Sequence, residues 1–223
     1  DPNHFVHTSG RLAAELNETS EHGAFWANQF ENLSNRAYHE QTTGPEIWAQ
    51  TGGNIDGFIC AVGTGGTLGG VARSLKAMNP DVMIGLSDPG GSGLHNYFAE
   101  GEVRIEGSSI SEGIGNSRIT ANLEDTPVDI SWQIPDTEAI PMVYELIRNE
   151  GLALGSSSGI NVTGATRLAE ELGPGHTIVT ILCDYGTRYQ SKLFNPTFLR
   201  QKGLPIPEHL GRAPQDIQTA IKD

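Results

Sequence analysis

From residue 56 onward, short apolar segments alternate with amphipathic segments of helical length, and this alternation constrains the fold more than any other feature of the chain. It predicts strands at 56–62, 82–86 and 177–183, a brief strand candidate at 152–154, and helices at 67–78, from Asp136 to Gly151, and at 159–172. Such a pattern is typical of an α/β fold, a mostly parallel twisted sheet flanked by helices. Ligands of these sheets bind beyond the carboxyl ends of the strands, so the loops after residues 62, 87 and 154 are the candidate sites.

The first 50 residues follow a less regular pattern. Residues 11–16 predict a short helix, and residues 24–30 predict a strand. Thr43 is predicted to cap a helix that begins with Gly44-Pro45-Glu46, because proline is tolerated in the first turn of a helix.

The net charge of −13 on 223 residues makes nucleic acid an improbable partner, because phosphates would be repelled. Any phosphate must therefore be bound by backbone N–H groups rather than by a basic patch. No apolar stretch approaches the length that spans a membrane. Cys60 and Cys183 both lie in or beside apolar segments, so we expect two buried, reduced thiols and a cytoplasmic location.

The glycine loop, Gly63-Thr64-Gly65-Gly66-Thr67, lies between a predicted strand and a predicted helix. Glycines allow a tight turn and a close approach to a ligand, and the start of a helix offers unpaired N–H groups to an anion. A purely structural turn and a nucleotide site are the alternatives. The Walker pattern fails because no Gly-Lys-Ser/Thr follows, and the dinucleotide pattern fits loosely because Leu68 stands at the last glycine position.

Two further loops share a feature with the glycine loop. One also precedes a helix, and the other also contains two closely spaced glycines. Gly155-Ser156-Ser157-Ser158-Gly159 opens a helix, so its serines are either helix caps or donors of a hydroxyl to the ring nitrogen of a ligand. Glu112-Gly113-Ile114-Gly115 is a second glycine turn and by itself predicts only a turn.

The order of these motifs resembles that of cysteine synthase (O-acetylserine sulfhydrylase). The motifs are Thr42-Thr43-Gly44-Pro45-Glu46-Ile47, the glycine loop, Gly113-Ile114-Gly115, Ser157-Ser158-Gly159 and Gly186-Thr187-Arg188-Tyr189. The resemblance implies the second pyridoxal-phosphate (PLP) fold type, with residues 1–38 as a remnant of the small domain and residues 39–223 as the large domain that binds the PLP phosphate. It also implies a PLP-dependent transferase of amino-acid biosynthesis.

Site roles follow from the resemblance residue by residue. Gly63, Thr64, Gly65, Gly66 and Thr67 would bind the PLP phosphate, and Ser157 would bind the pyridine nitrogen. Gly113, Ile114 and Gly115 would lie beside the cofactor, and Gln29 and Phe30 would line the substrate side.

The implied reaction is a β-replacement that makes L-cysteine from O-acetyl-L-serine and sulfide. The implied assembly is a homodimer that docks the C-terminal tail of serine acetyltransferase.

Two features depart from the family pattern. The family has Pro-Ser before Gly-x-Arg-Tyr, whereas this chain has Cys183-Asp184-Tyr185. We expect Asp184 to be a solvated loop residue, and the alternative is that its carboxylate raises the basicity of the site. The front third of the family pattern, with the Schiff-base lysine and the Thr-Ser-Gly-Asn-Thr loop for the substrate carboxylate, has no counterpart here.

The lysines of the chain are Lys76, Lys192, Lys202 and Lys222, and none lies in the lysine motif of the family. We therefore expect the catalytic lysine upstream of this sequence. We also expect this chain alone to be inactive and unable to hold PLP covalently.

Three other functions stay open at this point. A cystathionine β-synthase or a serine/threonine dehydratase would share the motifs that are present. A non-catalytic homologue that binds a peptide would explain the missing lysine. A nucleotide-binding α/β protein would need an acidic residue after the second strand to hold a ribose, and Asp88 lies near that position.

Overall fold

A four-stranded parallel sheet lies at the centre of the protein, whose computed structural model describes residues 4–208. Its strands are β1 (Gly57–Cys60), β2 (Met83–Pro89), β3 (Ile130–Ile134) and β4 (Ile178–Thr180). The helices are α1 (Phe5–Thr19), α2 (Ser34–Gln41), α3 (Thr43–Gln50), α4 (Gly66–Met78), α5 (Leu94–Glu100), α6 (Asp136–Glu150), α7 (Ser156–Leu172) and α8 (Pro196–Gln201), with a 3₁₀ turn at Gly186–Tyr189. The predicted fold class is confirmed.

The strand order is β3-β2-β1-β4, which places β1 in the interior of the sheet. Every residue of β1 is buried, and Phe58 and Ile59 have no exposed surface. This burial explains why the strand is an unbroken apolar run rather than an alternating one, since helices cover both faces of a parallel sheet. The register pairs Cys60 with Leu86 of β2, and Ile59 with Thr180 of β4.

The parallel pairing brings the loops after β1 and β4 to the same edge of the sheet. The loop after β1 leads into α4, and the loop after β4 leads into the 3₁₀ turn. The start of α7 reaches the same edge, because the Gly155 N–H donates to the carbonyl of Asp184 at 3.0 Å.

Helix α2 packs closely against α4 through Gly70. A Cβ atom on Gly70 would lie 2.7 Å from the Cβ of His39 and 2.7 Å from the backbone nitrogen of Glu40. Only glycine leaves room for α2 at this crossing. The close packing holds one face of α2 beside the glycine loop.

Local predictions for the first 50 residues are partly wrong. The strand predicted at 24–30 does not form: residues 23–28 have no regular structure, and Asn28 has a φ of 42°, which turns the chain. The N-cap of α3 is Thr42, and the hydroxyl of Thr43 lies 2.8 Å from Nδ1 of His39 instead of capping the helix. The turn at Asn28 and the hydrogen bonds from Asn122 to the carbonyls of Gln29 and Phe30 decide the first outcome, and the contact with His39 of α2 decides the second.

Other predicted elements differ mainly in their ends. The short helix predicted at 11–16 extends over Phe5–Thr19, and Leu154 of the 152–154 candidate forms an isolated antiparallel bridge with Tyr185. The predicted domain boundary after residue 38 falls inside α2, and the domain division stays a prediction. Residues 1–3 and Lys222 lie outside the described residues. Within residues 4–208, none of the helices is both long and apolar enough to cross a membrane.

Candidate functional site

A cavity of about 360 Å³ opens at the carboxyl edge of β1 and β4. This volume lies within the range of about 300–1,000 Å³ that is usual for small-molecule and cofactor sites. Three loops and the start of α7 contribute its lining: Ala61, Val62, Gly63, Thr64, Gly65, Thr67, Leu68, Glu112, Gly113, Ile114, Ser157, Cys183, Asp184, Arg188 and Tyr189.

The glycine loop forms the wall of the cavity where α4 begins. Gly65 is the N-cap of α4 and has a φ of +91°, a left-handed conformation that L side chains rarely adopt. The carbonyl of Gly63 accepts a hydrogen bond from Nδ2 of Asn116, and the carbonyl of Thr64 accepts one from Oγ1 of Thr120 at 2.7 Å. These carbonyls are thereby satisfied outside the helix, while the first N–H groups of α4 have no intrahelical acceptor. The loop can therefore bind an anion without a lysine.

Ser157 lies in the first turn of α7 and is 5% exposed. The N-cap of α7 is Gly155, and no side chain caps the helix, so the helix-cap alternative does not apply to Ser157. Burial raises the pKa of the nearby Cys183 thiol, and the Ser157 side chain offsets part of this rise. A neutral hydroxyl at this place can donate to, or accept from, the ring nitrogen of a bound ligand.

The second glycine turn is fixed to Val62, the residue that directly precedes the glycine loop. The Gly115 N–H donates to the carbonyl of Val62 at 2.8 Å. At the other end of the turn, Glu112 forms an ion pair with Lys192 from the segment after the 3₁₀ turn. The turn is therefore held at both ends, by Val62 in the cavity wall and by Lys192 outside it, although its sequence predicted only a turn.

Asp184 is half-buried in the cavity wall, so the expectation of a solvated loop residue is wrong. Its Oδ2 atom accepts a hydrogen bond from the Tyr189 hydroxyl at 2.7 Å. Its Oδ1 atom is inaccessible and has no hydrogen-bond partner among the described residues. Burial and the hydrogen bond to Asp184 raise the pKa of Tyr189 to about 12. The pair therefore fixes Tyr189 in the cavity wall, while Oδ1 of Asp184 lies against Gly155 and is not accessible to a ligand.

The expectation of two buried thiols is half wrong. Cys60 is buried in β1, and burial raises the pKa of its thiol. Cys183 is free and exposed, because it follows β4 at the edge of the sheet and faces the cavity. The apolar run that predicted its burial ends before it: Leu182 is 46% exposed.

The structure brings most of the predicted site residues together. Those that line the cavity are Gly63, Thr64, Gly65, Thr67, Gly113, Ile114 and Ser157. Gly66 packs against Asn35, and Gly115 bonds to Val62, so both lie behind the wall. Gln29 and Phe30 line a separate cavity of about 180 Å³ beside α1, and their substrate-side role stays a prediction.

Several residues at the site carried no signal of their own in the sequence. Asn35 and His39 on α2 contact the threonine hydroxyls of the glycine loop, and Asn116 bonds to the loop backbone. Arg188 and Tyr189 belong to a motif that predicts no role for either residue, and the structure places both in the cavity wall. A polar residue on an amphipathic helix has the same pattern whether it faces water or a site, so periodicity does not identify it.

The donor set fits a small phosphorylated aromatic ligand such as PLP. Backbone N–H groups and two threonine hydroxyls suit a phosphate at one end of the cavity. Ser157, which also lines the cavity, suits the nitrogen of an aromatic ring.

The nucleotide alternative loses its main candidate residue. Asp88 has no exposed surface, and its Oδ2 atom accepts the His95 N–H at 2.8 Å at the start of α5. Burial raises the pKa of this carboxyl group. Asp88 therefore stabilises a turn inside the fold and is not available to a ribose.

Comparison with known proteins agrees with this site. Residues 4–184 match the model of a family described as pyridoxal-phosphate dependent enzyme. The chain is 50% identical over 217 residues to cysteine synthase 1 of Neurospora crassa, covering 94% of this chain and 56% of that protein. It is 42% identical over 223 residues to cysteine synthase 2 of Schizosaccharomyces pombe, with coverages of 93% and 56%.

A solved structure is similar as well. The crystal structure of an O-acetylserine dependent cystathionine β-synthase from Helicobacter pylori superposes with a TM-score of 0.72 at 33% identity, covering 82% of this chain and 57% of that one. The chain thus spans a little over half the length of the relatives that it matches.

Proposed function

The chain belongs to the family of pyridoxal-phosphate dependent enzymes, and on that basis we propose that it forms the phosphate- and ring-binding part of a cysteine synthase. The intact enzyme would make L-cysteine from O-acetyl-L-serine and sulfide by β-replacement. The observation that carries the proposal is the convergence of the glycine loop, the second glycine turn and Ser157 on one cavity. The similarity to cysteine synthases over most of the chain supports the choice of reaction.

The residues of this chain bind and orient. The glycine loop and the start of α4 would hold the phosphate, and Ser157 would hydrogen-bond the ring nitrogen without a formal charge. When bound, PLP supplies an electron sink for the substrate α-carbon. The second glycine turn, tied to Val62 and through Glu112 to Lys192, would limit the access of water to the ring.

The lysine that the resemblance implies for the covalent link to PLP and for proton transfer is not among the residues that line the described cavity. The lysines within residues 4–208, which are Lys76, Lys192 and Lys202, do not line it. We therefore expect no stoichiometric covalent adduct when the 223-residue chain is mixed with PLP and reduced with borohydride. A single lysine modified in full, located by peptide mass spectrometry, would overturn this part of the proposal.

The phosphate site at the glycine loop can be tested directly by ligand binding. Pyridoxamine 5′-phosphate carries the ring and the phosphate but no aldehyde, so it cannot react with surface lysines. Isothermal titration of the chain should show that it binds more tightly than pyridoxamine, which has no phosphate. Equal affinities for the two compounds would contradict a phosphate site at the glycine loop.

A second candidate, a cystathionine β-synthase, is favoured by the similarity to the H. pylori structure, which is that of an O-acetylserine dependent cystathionine β-synthase. The two reactions differ in the sulfur nucleophile. Assay of the intact enzyme with O-acetyl-L-serine and either sulfide or homocysteine separates them, and a parallel assay with serine and homocysteine tests the classical cystathionine reaction. We expect the highest kcat/KM with sulfide, and a higher value with homocysteine would reject the first proposal.

The remaining parts of the proposal concern the whole enzyme and rest on the resemblance. They are a homodimer, a cytoplasmic location, and docking of the C-terminal tail of serine acetyltransferase in the cavity. Sedimentation of the intact enzyme with and without a peptide of that tail tests the first and the third.

A further inference from the structure

Two side chains of α2 reach the threonine hydroxyls of the glycine loop. Nδ2 of Asn35 lies 2.9 Å from Oγ1 of Thr64, and Nε2 of His39 lies 3.3 Å from Oγ1 of Thr67. Asn35 and His39 are four residues apart and therefore share one face of the helix. All four side chains belong to partly buried residues.

We propose that Asn35 and His39 are positioning residues that direct the hydroxyl protons of Thr64 and Thr67 toward a phosphate group bound at the glycine loop. This inference rests on the proposed phosphate site at the glycine loop. It adds the residues that determine which hydroxyl groups donate hydrogen bonds to the phosphate.

The orientation of the Asn35 amide is fixed by a backbone carbonyl. Nδ2 also lies 3.0 Å from the carbonyl oxygen of Gln29, which can only accept. The nitrogen must therefore be on this side of the amide, and its second hydrogen points to Oγ1 of Thr64. Asn35 is a donor to Thr64 and cannot act as an acceptor there.

The Thr64 hydroxyl is thereby left with one free direction. Its oxygen accepts from Asn35 and also from the Gly66 N–H at 3.4 Å. These two donors occupy both lone pairs, so the hydroxyl proton is not used within the loop. It is available to an acceptor in the cavity, and a phosphate oxygen is such an acceptor.

His39 performs the same task for Thr67 through a hydrogen-bonded chain. Burial lowers the pKa of His39, so the ring is neutral at pH 7 and carries one N–H. Nδ1 lies 2.8 Å from Oγ1 of Thr43. When Thr67 donates to an anion, its oxygen needs a donor, and Nε2–H of His39 supplies it while the Thr43 hydroxyl donates to Nδ1. The anion therefore selects the tautomer with the proton on Nε2.

The decisive variant is Asn35→Asp, which has nearly the same shape but offers an acceptor where Thr64 needs a donor. The Thr64 proton would turn to the new carboxylate, and the negative charge would face the anion. We expect the affinity for pyridoxamine 5′-phosphate and for inorganic phosphate to fall at least tenfold, with no change for pyridoxamine. Asn35→Ala removes one orienting bond and should cost about fivefold, the usual net value of a hydrogen bond.

Two variants of His39 test whether a hydrogen-bond donor, rather than the size of the side chain, is needed at this position. His39→Leu should weaken pyridoxamine 5′-phosphate about fivefold. His39→Gln, whose amide nitrogen can reach the position of Nε2, should recover most of that loss. Gln41→Ala, on the exposed end of the same helix, is the matched control and should bind like the unmodified chain.

The outcomes separate the inference from the function on which it depends. If the unmodified chain binds neither pyridoxamine 5′-phosphate nor inorganic phosphate, the proposed phosphate site is wrong, and the inference that depends on it is wrong as well. If the chain binds both and Asn35→Asp and His39→Leu bind equally well, only the inference is overturned. Equal losses for pyridoxamine and its phosphate would also overturn it, since they would indicate a structural role. Should Asn35→Asp fail to fold by circular dichroism, Asn35→Ala and the two His39 variants decide by the same titrations.

Discussion

Replacing Gly65 by alanine would separate two constraints that act at the start of α4. The first is the backbone, since a φ of +91° is unfavourable for any residue with a Cβ atom. The second is packing, because the added Cβ would lie 2.9 Å from the Cβ of Leu123 and 3.0 Å from Oγ1 of Thr120. Gly101 provides a matched control. It follows α5 with a φ of +82°, and a Cβ atom there would have no neighbour within 4 Å.

The expected magnitudes follow from these contacts. Left-handed backbone costs an alanine about 1–2 kcal/mol, and this is the full effect expected for Gly101→Ala. Overpacking a buried site adds about 1–3 kcal/mol, because the nearest atoms at Gly65 belong to two buried residues, Leu123 and Thr120. Gly65→Ala should therefore lower the free energy of unfolding by about 2–5 kcal/mol.

Urea denaturation followed by circular dichroism measures both values, and equal m-values would show that the unfolded states are comparable. The substitution also displaces the N–H groups of the glycine loop, so the affinity for pyridoxamine 5′-phosphate should fall at least tenfold, or about 1.4 kcal/mol. If both alanine variants lost the same stability within about 0.5 kcal/mol, the described contact with Leu123 would be wrong. Unchanged affinity in a folded Gly65→Ala variant would remove the loop from the phosphate site.

Four further predictions address the rest of the site. Ser157→Ala should weaken pyridoxamine 5′-phosphate about fivefold and leave inorganic phosphate unaffected, and equal losses in titration would contradict its assignment to the ring nitrogen. Asn122→Leu should lower the free energy of unfolding by at least about 2 kcal/mol in urea denaturation. The reason is that this fully buried amide donates to two carbonyls and accepts a hydrogen bond from a backbone N–H. An unchanged denaturation midpoint would refute this role. Tyr189→Phe should make the free energy of unfolding less dependent on pH between about 10 and 12. The pKa of this phenol is raised to about 12 in the folded protein, so its contribution to stability is complete below about pH 10 and is lost as the pH rises through 12. Parallel curves of stability against pH for the two proteins would refute this. Ellman's reagent should modify one thiol in the native protein and two after unfolding, and Cys183→Ala should abolish the reaction of the native protein. A reaction of the native protein that survives this substitution would show that the accessible thiol is Cys60.

The sheet and its flanking helices could be predicted from the sequence because their signals are local. The strand around Phe58 is a short apolar run, and α4 repeats apolar residues at helical spacing. The strand predicted at 24–30 failed for the opposite reason. Its aromatic residues suit a strand, but the backbone turns at Asn28 and Asn122 binds the carbonyls that follow. A segment without its own periodicity takes its conformation from distant partners.

The amino-acid sequence was sufficient to predict the α/β class, the place of the glycine loop at a strand-to-helix junction and, from the order of its motifs, a PLP enzyme. Each of these depends on the spacing of residues that are near in the chain. Only the tertiary structure decided that Asp184 is a cavity wall bonded to Tyr189, and that α2 supplies Asn35 and His39 to the loop. Those contacts depend on which elements pack together, and a donor or an acceptor has no partner until the fold brings one within about 3 Å.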